Sequence, residues 1–172
     1  MLRRTSGALL IGALFALPGQ PWAASGTGTV TVTAIVSGNC RIQSTTNVAF
    51  GAYSTVGTGL IQATGTVRLQ CAKDSPIISL DLDLGSNASG STRRMRNGTD
   101  FIAYELYKPI GINPGDACAY TTVWGAGPVN GLVPTPPANA APRTYNVCGQ
   151  AALGQNAGPG AYTDTVTVTV NF

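Results

Sequence analysis

The chain closes on Tyr162-Thr163-Asp164-Thr165-Val166-Thr167-Val168-Thr169-Val170-Asn171-Phe172, an alternation with a period of two that suits a strand and not a helix. In an extended strand Tyr162, Asp164, Val166, Val168, Val170 and Phe172 share one face, and the threonines with Asn171 share the other. Thr and Val are both β-branched, which fits a pleated surface buried on one side only. A second run of this kind lies near the start, where Val30, Val32, Ala34 and Val36 alternate with Thr29, Thr31, Thr33 and Ile35.

Working inward from the two ends, further strands are predicted at Asn47 to Phe50, Leu60 to Cys71, Ile77 to Leu84, Phe101 to Tyr107, Tyr120 to Trp124 and Arg143 to Cys148. Turn signals separate them at Gly57-Thr58-Gly59, Gly85-Ser86-Asn87, Asn97-Gly98, Asn113-Pro114-Gly115 and Gly154 through Gly160. No stretch keeps a helical apolar period, and short strands with regular turn punctuation predict an all-β sandwich. The Pro-rich stretch from Gly125 to Pro142 reads as a long surface loop.

Composition narrows the function. The 172 residues include no His, which removes Ser-His-Asp and Cys-His catalysis, imidazole metal sites and the usual proton carrier at neutral pH. An enzyme is not expected, nor is a metal or cofactor. Only 10% of the residues are charged, with 10 Lys+Arg against 7 Asp+Glu. Arg93, Arg94 and Arg96 are the sole basic cluster, without the broad basic face and interleaved aromatics of a nucleic-acid binder.

Arg3 and Arg4, the apolar run Ala8 to Leu17, and the small residues Ala23 to Ser25 have the layout of a secretory signal peptide, predicted over residues 1–24. The apolar run is too short to span a bilayer, so no membrane insertion is expected after cleavage. Loss of Arg3 and Arg4 brings the net charge of +3 close to neutrality. Export places Cys40, Cys71, Cys118 and Cys148 in an oxidising space, where an even set predicts two disulfides. Their order favours Cys40 with Cys71 and Cys118 with Cys148, while the arithmetic leaves the other two pairings open. Each such bridge closes a loop worth about 3 to 4 kcal/mol in the chain-entropy account.

Few residues suggest chemistry. Asp81 and Asp83 point to one face of a predicted strand and read as a solvated sheet face opposite Ile78, Leu80, Leu82 and Leu84, a reading preferred to a cation site. Arg93-Arg94-Met95-Arg96 reads as a solvated loop cluster, with an anionic glycan or surface as the functional alternative. Tyr104, Tyr107, Tyr120 and Trp124 offer either sheet packing, which is preferred, or a sugar-stacking platform. Asn87-Ala88-Ser89 and Asn97-Gly98-Thr99 match a glycosylation sequon that arises readily by chance. The almost uncharged alternating strand at residues 29–36 either opens its own sandwich or is offered to another chain, and periodicity does not choose.

Several motifs, taken in order, carry a resemblance. Cys40 after an alternating strand, Phe50-Gly51-Ala52-Tyr53, Gly65-Thr66-Val67-Arg68-Leu69-Gln70-Cys71, Arg94-Met95, Tyr104-Glu105-Leu106-Tyr107, Trp124-Gly125 and the closing run from Gly160 to Val170 resemble the spore coat protein U domain. That family includes the Csu-type pilins of the archaic chaperone-usher pathway, and the resemblance covers nearly the whole chain after the signal peptide. It implies an incomplete immunoglobulin-like β-sandwich completed by a strand from a neighbour. Residues 25–38 then form the donor segment, with Val30, Val32, Ala34 and Val36 as its inserted side chains, and residues 39–172 form the pilin domain. The acceptor groove is expected along Val166, Val168, Val170 and Phe172.

The implied partners are neighbouring subunits, a periplasmic chaperone and an outer-membrane usher, and the implied role is a structural subunit of a surface pilus supporting adhesion and biofilm formation. An extracellular coat protein and a glycan-binding module using Arg94, Arg96, Tyr107 or Trp124 are the alternatives. The family carries an aromatic near Cys148, so a Cys118–Cys148 bridge pinning the Pro-rich loop is a departure. A single such domain fits a stalk or minor subunit better than a tip adhesin.

Overall fold

A computed structural model describes Thr29 and residues 31–172. The predicted signal peptide and Val30 lie outside the described residues. The strands and helix below belong to the compact unit Val36–Phe172.

Eight strands and one short helix follow in order: β1 (Cys40–Thr46), β2 (Leu60–Cys71), β3 (Ser79–Leu82), β4 (Arg93–Asn97), β5 (Asp100–Pro109), β6 (Cys118–Val123), α1 (Gly127–Asn130), β7 (Arg143–Ala152) and β8 (Val168–Asn171). One sheet runs β1-β2-β7-β5-β4 with β6 also on β5, and a second pairs β3 with β8. Every pairing is antiparallel. The fold is an all-β, immunoglobulin-like sandwich, as expected.

The core forms where the alternating faces meet: Val67 and Leu69 of β2, Leu80 and Leu82 of β3, Tyr104 and Leu106 of β5, and Tyr145 and Val147 of β7. Trp124 and Leu132 enter from the connection after β6. Leu132 exchanges both main-chain hydrogen bonds with Leu80, at 2.7 and 2.9 Å. The predicted loop from Gly125 to Pro142 therefore contributes to the core and covers part of β3.

Both disulfides take the favoured pairing, Cys40–Cys71 and Cys118–Cys148. The first joins partners at one end of the β1–β2 ladder, and the second ties the start of β6 to the middle of β7.

Four expectations are corrected. Asn47 to Phe50 is not a strand. It crosses over the sheet where Gly65 of β2 and Gly149 of β7 leave room, since a Cβ on Gly65 would stand 2.6 Å from the Thr46 carbonyl and one on Gly149 would strike Val48. Conversely, β1 and β4 form where no strand was predicted. Asp81 is buried behind the connection at Gly131 and does not lie on a solvated face. Arg93 lies on β4 and is fully buried, not part of a solvated loop cluster.

Candidate strand-acceptor site

The C-terminal segment is held along one edge for its whole length. The Ile78, Asp83 and Ser86 amides donate to the carbonyls of Asn171, Thr167 and Thr165 at 2.8, 3.1 and 3.0 Å, and Arg96 and Thr163 bond reciprocally at 2.9 and 3.1 Å. Register within the β3–β8 pair sets Leu80 opposite Val170 and Leu82 opposite Val168. Leu80 turns its N–H and C=O to Leu132, and the Leu82 N–H goes to the Gly125 carbonyl, so both face away from β8. Val170 and Val168 are thus in non-hydrogen-bonded pairs, and their own N–H and C=O groups point to the far edge of β8. No strand pairs with that edge among the described residues.

The side chains are as incomplete in their cover as the main chain is in its bonding. Val166, Val168 and Val170 pack against the core yet stay half-buried, as does Ile42 of β1. β1 is likewise an outer strand, bonded among the described residues to β2 alone. Phe172 ends the run 51% exposed. An apolar half-covered strip beside a row of free main-chain donors and acceptors can accept an extended chain, which bonds the edge and lays alternate side chains into the strip.

Three carboxylates fix the segment in place, and one of them, Asp81, accepts from the Asn171 side chain at 2.8 Å. Asp164 Oδ2 accepts from the Tyr104 hydroxyl at 2.7 Å, and its Oδ1 accepts from the Asn87 amide at 3.1 Å and the Asn87 side chain at 2.9 Å. Burial, reinforced by the Asp164 hydrogen bond, pushes the Tyr104 phenol far above its usual range. Asp83 Oδ1 accepts from the Gly85 and Thr167 amides, each at 2.9 Å. Partial burial works to raise the Asp83 carboxyl, but the Thr167 and Gly85 hydrogen bonds and the Arg93 charge prevail and hold it below its usual value.

The sequence profile of the Spore Coat Protein U domain matches residues 26–169. The chain belongs to the Spore Coat Protein U domain family. It is 34% identical over 168 residues to Protein U of Myxococcus xanthus, with 87% of each chain covered. Among solved structures it is similar to the chaperone–tip adhesion subunit pre-assembly complex from the archaic chaperone-usher Csu pili of Acinetobacter baumannii, with a TM-score of 0.52 and 24% identity. That match covers 80% of this chain and 40% of the other, so the chain spans less than half of the solved chain and the likeness concerns the fold.

Within this Spore Coat Protein U domain, the sequence-predicted residues have separate fates. Val166, Val168 and Val170 come together on the open edge. Of the other alternating run, Val32, Ala34 and Val36 are exposed and form no strand, with Val32 90% and Val36 85% accessible. The aromatic candidates do not make one platform. Trp124 is fully buried and donates its indole N–H to the Leu80 carbonyl at 2.8 Å, Tyr104 is buried, and Tyr107 packs edge-on against Tyr120.

Arg93 is the structural residue that the sequence reading missed. Its guanidinium pairs with Glu105, gives the Asp83 carbonyl two bonds at 3.0 and 2.7 Å, and reaches the carbonyls of Leu82 at 3.3 Å and Trp124 at 2.7 Å. It therefore bolts the end of β3 to β4, β5 and the connection after β6. The available signal was Met95, which alternates with Arg94 and Arg96 and marks Arg93 as facing the same side as itself. Among the described residues no group of three or more His, Cys, Asp or Glu is gathered as a metal site would require.

Proposed function

We propose that this chain is a structural subunit of a secreted surface pilus, held by a periplasmic chaperone, delivered to an outer-membrane usher and joined to its neighbours by donor-strand exchange, in support of adhesion and biofilm formation. The single observation that carries the reading is the edge of β8, where among the described residues the main chain and side chains of Val168 and Val170 both lack the partner that one more strand supplies. Family membership and the likeness to a pilus subunit support it. Residues 25–38 are the donor, with Val30, Val32, Ala34 and Val36 as the inserted side chains, residues 1–24 the export signal, and residues 39–172 the acceptor domain with Phe172 at the end of its groove.

Burial of a valine contributes about 1.5 to 3 kcal/mol, so three valines and Ala34 together supply about 5 to 10 kcal/mol before ordering costs. Removal of residues 25–36 is expected to leave a subunit that folds on its chaperone and forms no polymer, as judged by size analysis of periplasmic material. Val32→Asp should do the same by placing a charge in an apolar groove. Unchanged polymers from either variant reject the reading. A coat role without fibres, which the family name favours, predicts no chaperone and usher genes beside this one.

A further inference from the structure

We propose that the outer face of β4 and the adjoining start of the C-terminal segment form a binding site for acidic polysaccharide, with Arg94 and Arg96 as its anion-binding groups. The site lies within residues 87–163 and does not depend on donor-strand assembly.

Strand alternation sends Arg93 and Met95 inward and leaves Arg94 and Arg96 on the outer face. Both outer guanidiniums are held in place. Arg94 donates its Nε–H to the Asn87 carbonyl at 3.1 Å and stacks 4.0 Å from the centroid of the Phe101 ring. Arg96 donates its Nε–H to the Gly98 carbonyl at 2.6 Å, with the same ring 5.9 Å away. The anchoring bonds use Nε, so the terminal forks of both groups are left to bind a carboxylate or sulfate in bidentate fashion. The ion pairs among the described residues are Lys73 with Asp74 and Arg93 with Glu105, and neither involves these two arginines. Asp164, beside Thr163, is engaged by Asn87 and Tyr104, and Asp100 accepts from the Gly158 amide.

Next to Arg96 lies a shallow, open depression lined by Asn87, Arg96, Gly98 and Thr163. A neutral amide, a hydroxyl and backbone at the foot of a fixed guanidinium suit a ligand rich in hydroxyls with an occasional acidic group. A nucleic acid needs a longer row of cations than a pair on a nearly neutral protein. Arginines already stacked on an aromatic ring lose little further freedom on binding.

The test uses the full exported chain in its assembled form on immobilised polygalacturonate, with dextran as the neutral control and single-stranded DNA as the alternative polyanion. Retention on polygalacturonate and release by salt are expected. Arg94→Gln with Arg96→Gln should weaken binding by about tenfold or more. Arg68→Gln with Lys73→Gln, which changes the net charge equally on another surface, should leave it unchanged. If the first pair fails to fold, Arg94→Lys with Arg96→Lys keeps the charge, removes both Nε anchors and should also weaken binding. Absence of retention, equal loss in the two Gln pairs, unchanged affinity of the Lys pair, or DNA bound as tightly as polygalacturonate would each overturn the proposal.

Discussion

Strands β7 and β8 both alternate apolar and polar residues, and their apolar faces point into one core, yet they differ in how fully they are buried. Tyr145 and Val147 on β7 are 0% and 6% exposed, whereas Val168 and Val170 on β8 remain half-buried. Composition does not explain this, because valine is as ready to be buried as tyrosine. The difference is in the edges: β7 is paired with β2 on one side and β5 on the other, while among the described residues β8 is paired with β3 alone. A strand with one neighbour cannot enclose its own inward face, so β8 keeps the hydrophobic pattern of a central strand in an edge position.

The largest expected effect concerns the bolt between these regions. Arg93→Ala strands Glu105 and leaves the carbonyls of Leu82, Asp83 and Trp124 without their donor, and it should cost about 3 to 5 kcal/mol in denaturant unfolding. Truncating the inward face of β7 by Tyr145→Ala should cost about 3 to 5 kcal/mol, because the cavity is enclosed on all sides. Replacing both Cys118 and Cys148 by Ala removes a covalent tie that β7 has and β8 lacks, and should cost about 3 to 4 kcal/mol. Val168→Ala should cost only about 1 kcal/mol while the edge is open. A loss at Val168 as large as that at Tyr145 would break the comparison.

The smallest effect is one of pH. The Asp83 carboxyl lies below its unfolded value of 3.8, so its hold on the Thr167 amide is fully present above that value and is lost as pH falls through the lower folded value. The protection of the Thr167 amide against hydrogen exchange should therefore fall in acid while the β2–β7 amides keep theirs. Asp83→Asn should remove that pH dependence.

Much of this could be read from the sequence where apolar residues alternate. β2 was legible to the residue, β5 to within two residues and β7 to within four, and the shared face of Val166, Val168 and Val170 through its strict period. The sequence hid β1, because Arg41 to Thr46 of an outer strand carries almost no apolar face, and β4, because three arginines in five residues look solvated. Asn47 to Phe50 misled for the opposite reason: Val48 and Phe50 are apolar because they cover two glycines, not because they pair in a sheet. Which charge is buried depends on long-range partners, so Asp81 and the role of Asp164 were not legible, and only the alternation with Met95 pointed to Arg93.

The Cys40–Cys71 bridge has a mechanical consequence. It lies at the first residue of β1, so a pull arriving along the chain through Asn39 meets the bridge before it meets a single hydrogen bond of β1. Tension passes through sulfur to the far end of β2, and residues 41–70 sit in a closed loop that no stretch can unravel. The strand that would otherwise peel first is shielded, and extension must instead begin beyond Cys71 or at the C-terminal end, where neither disulfide ties β8.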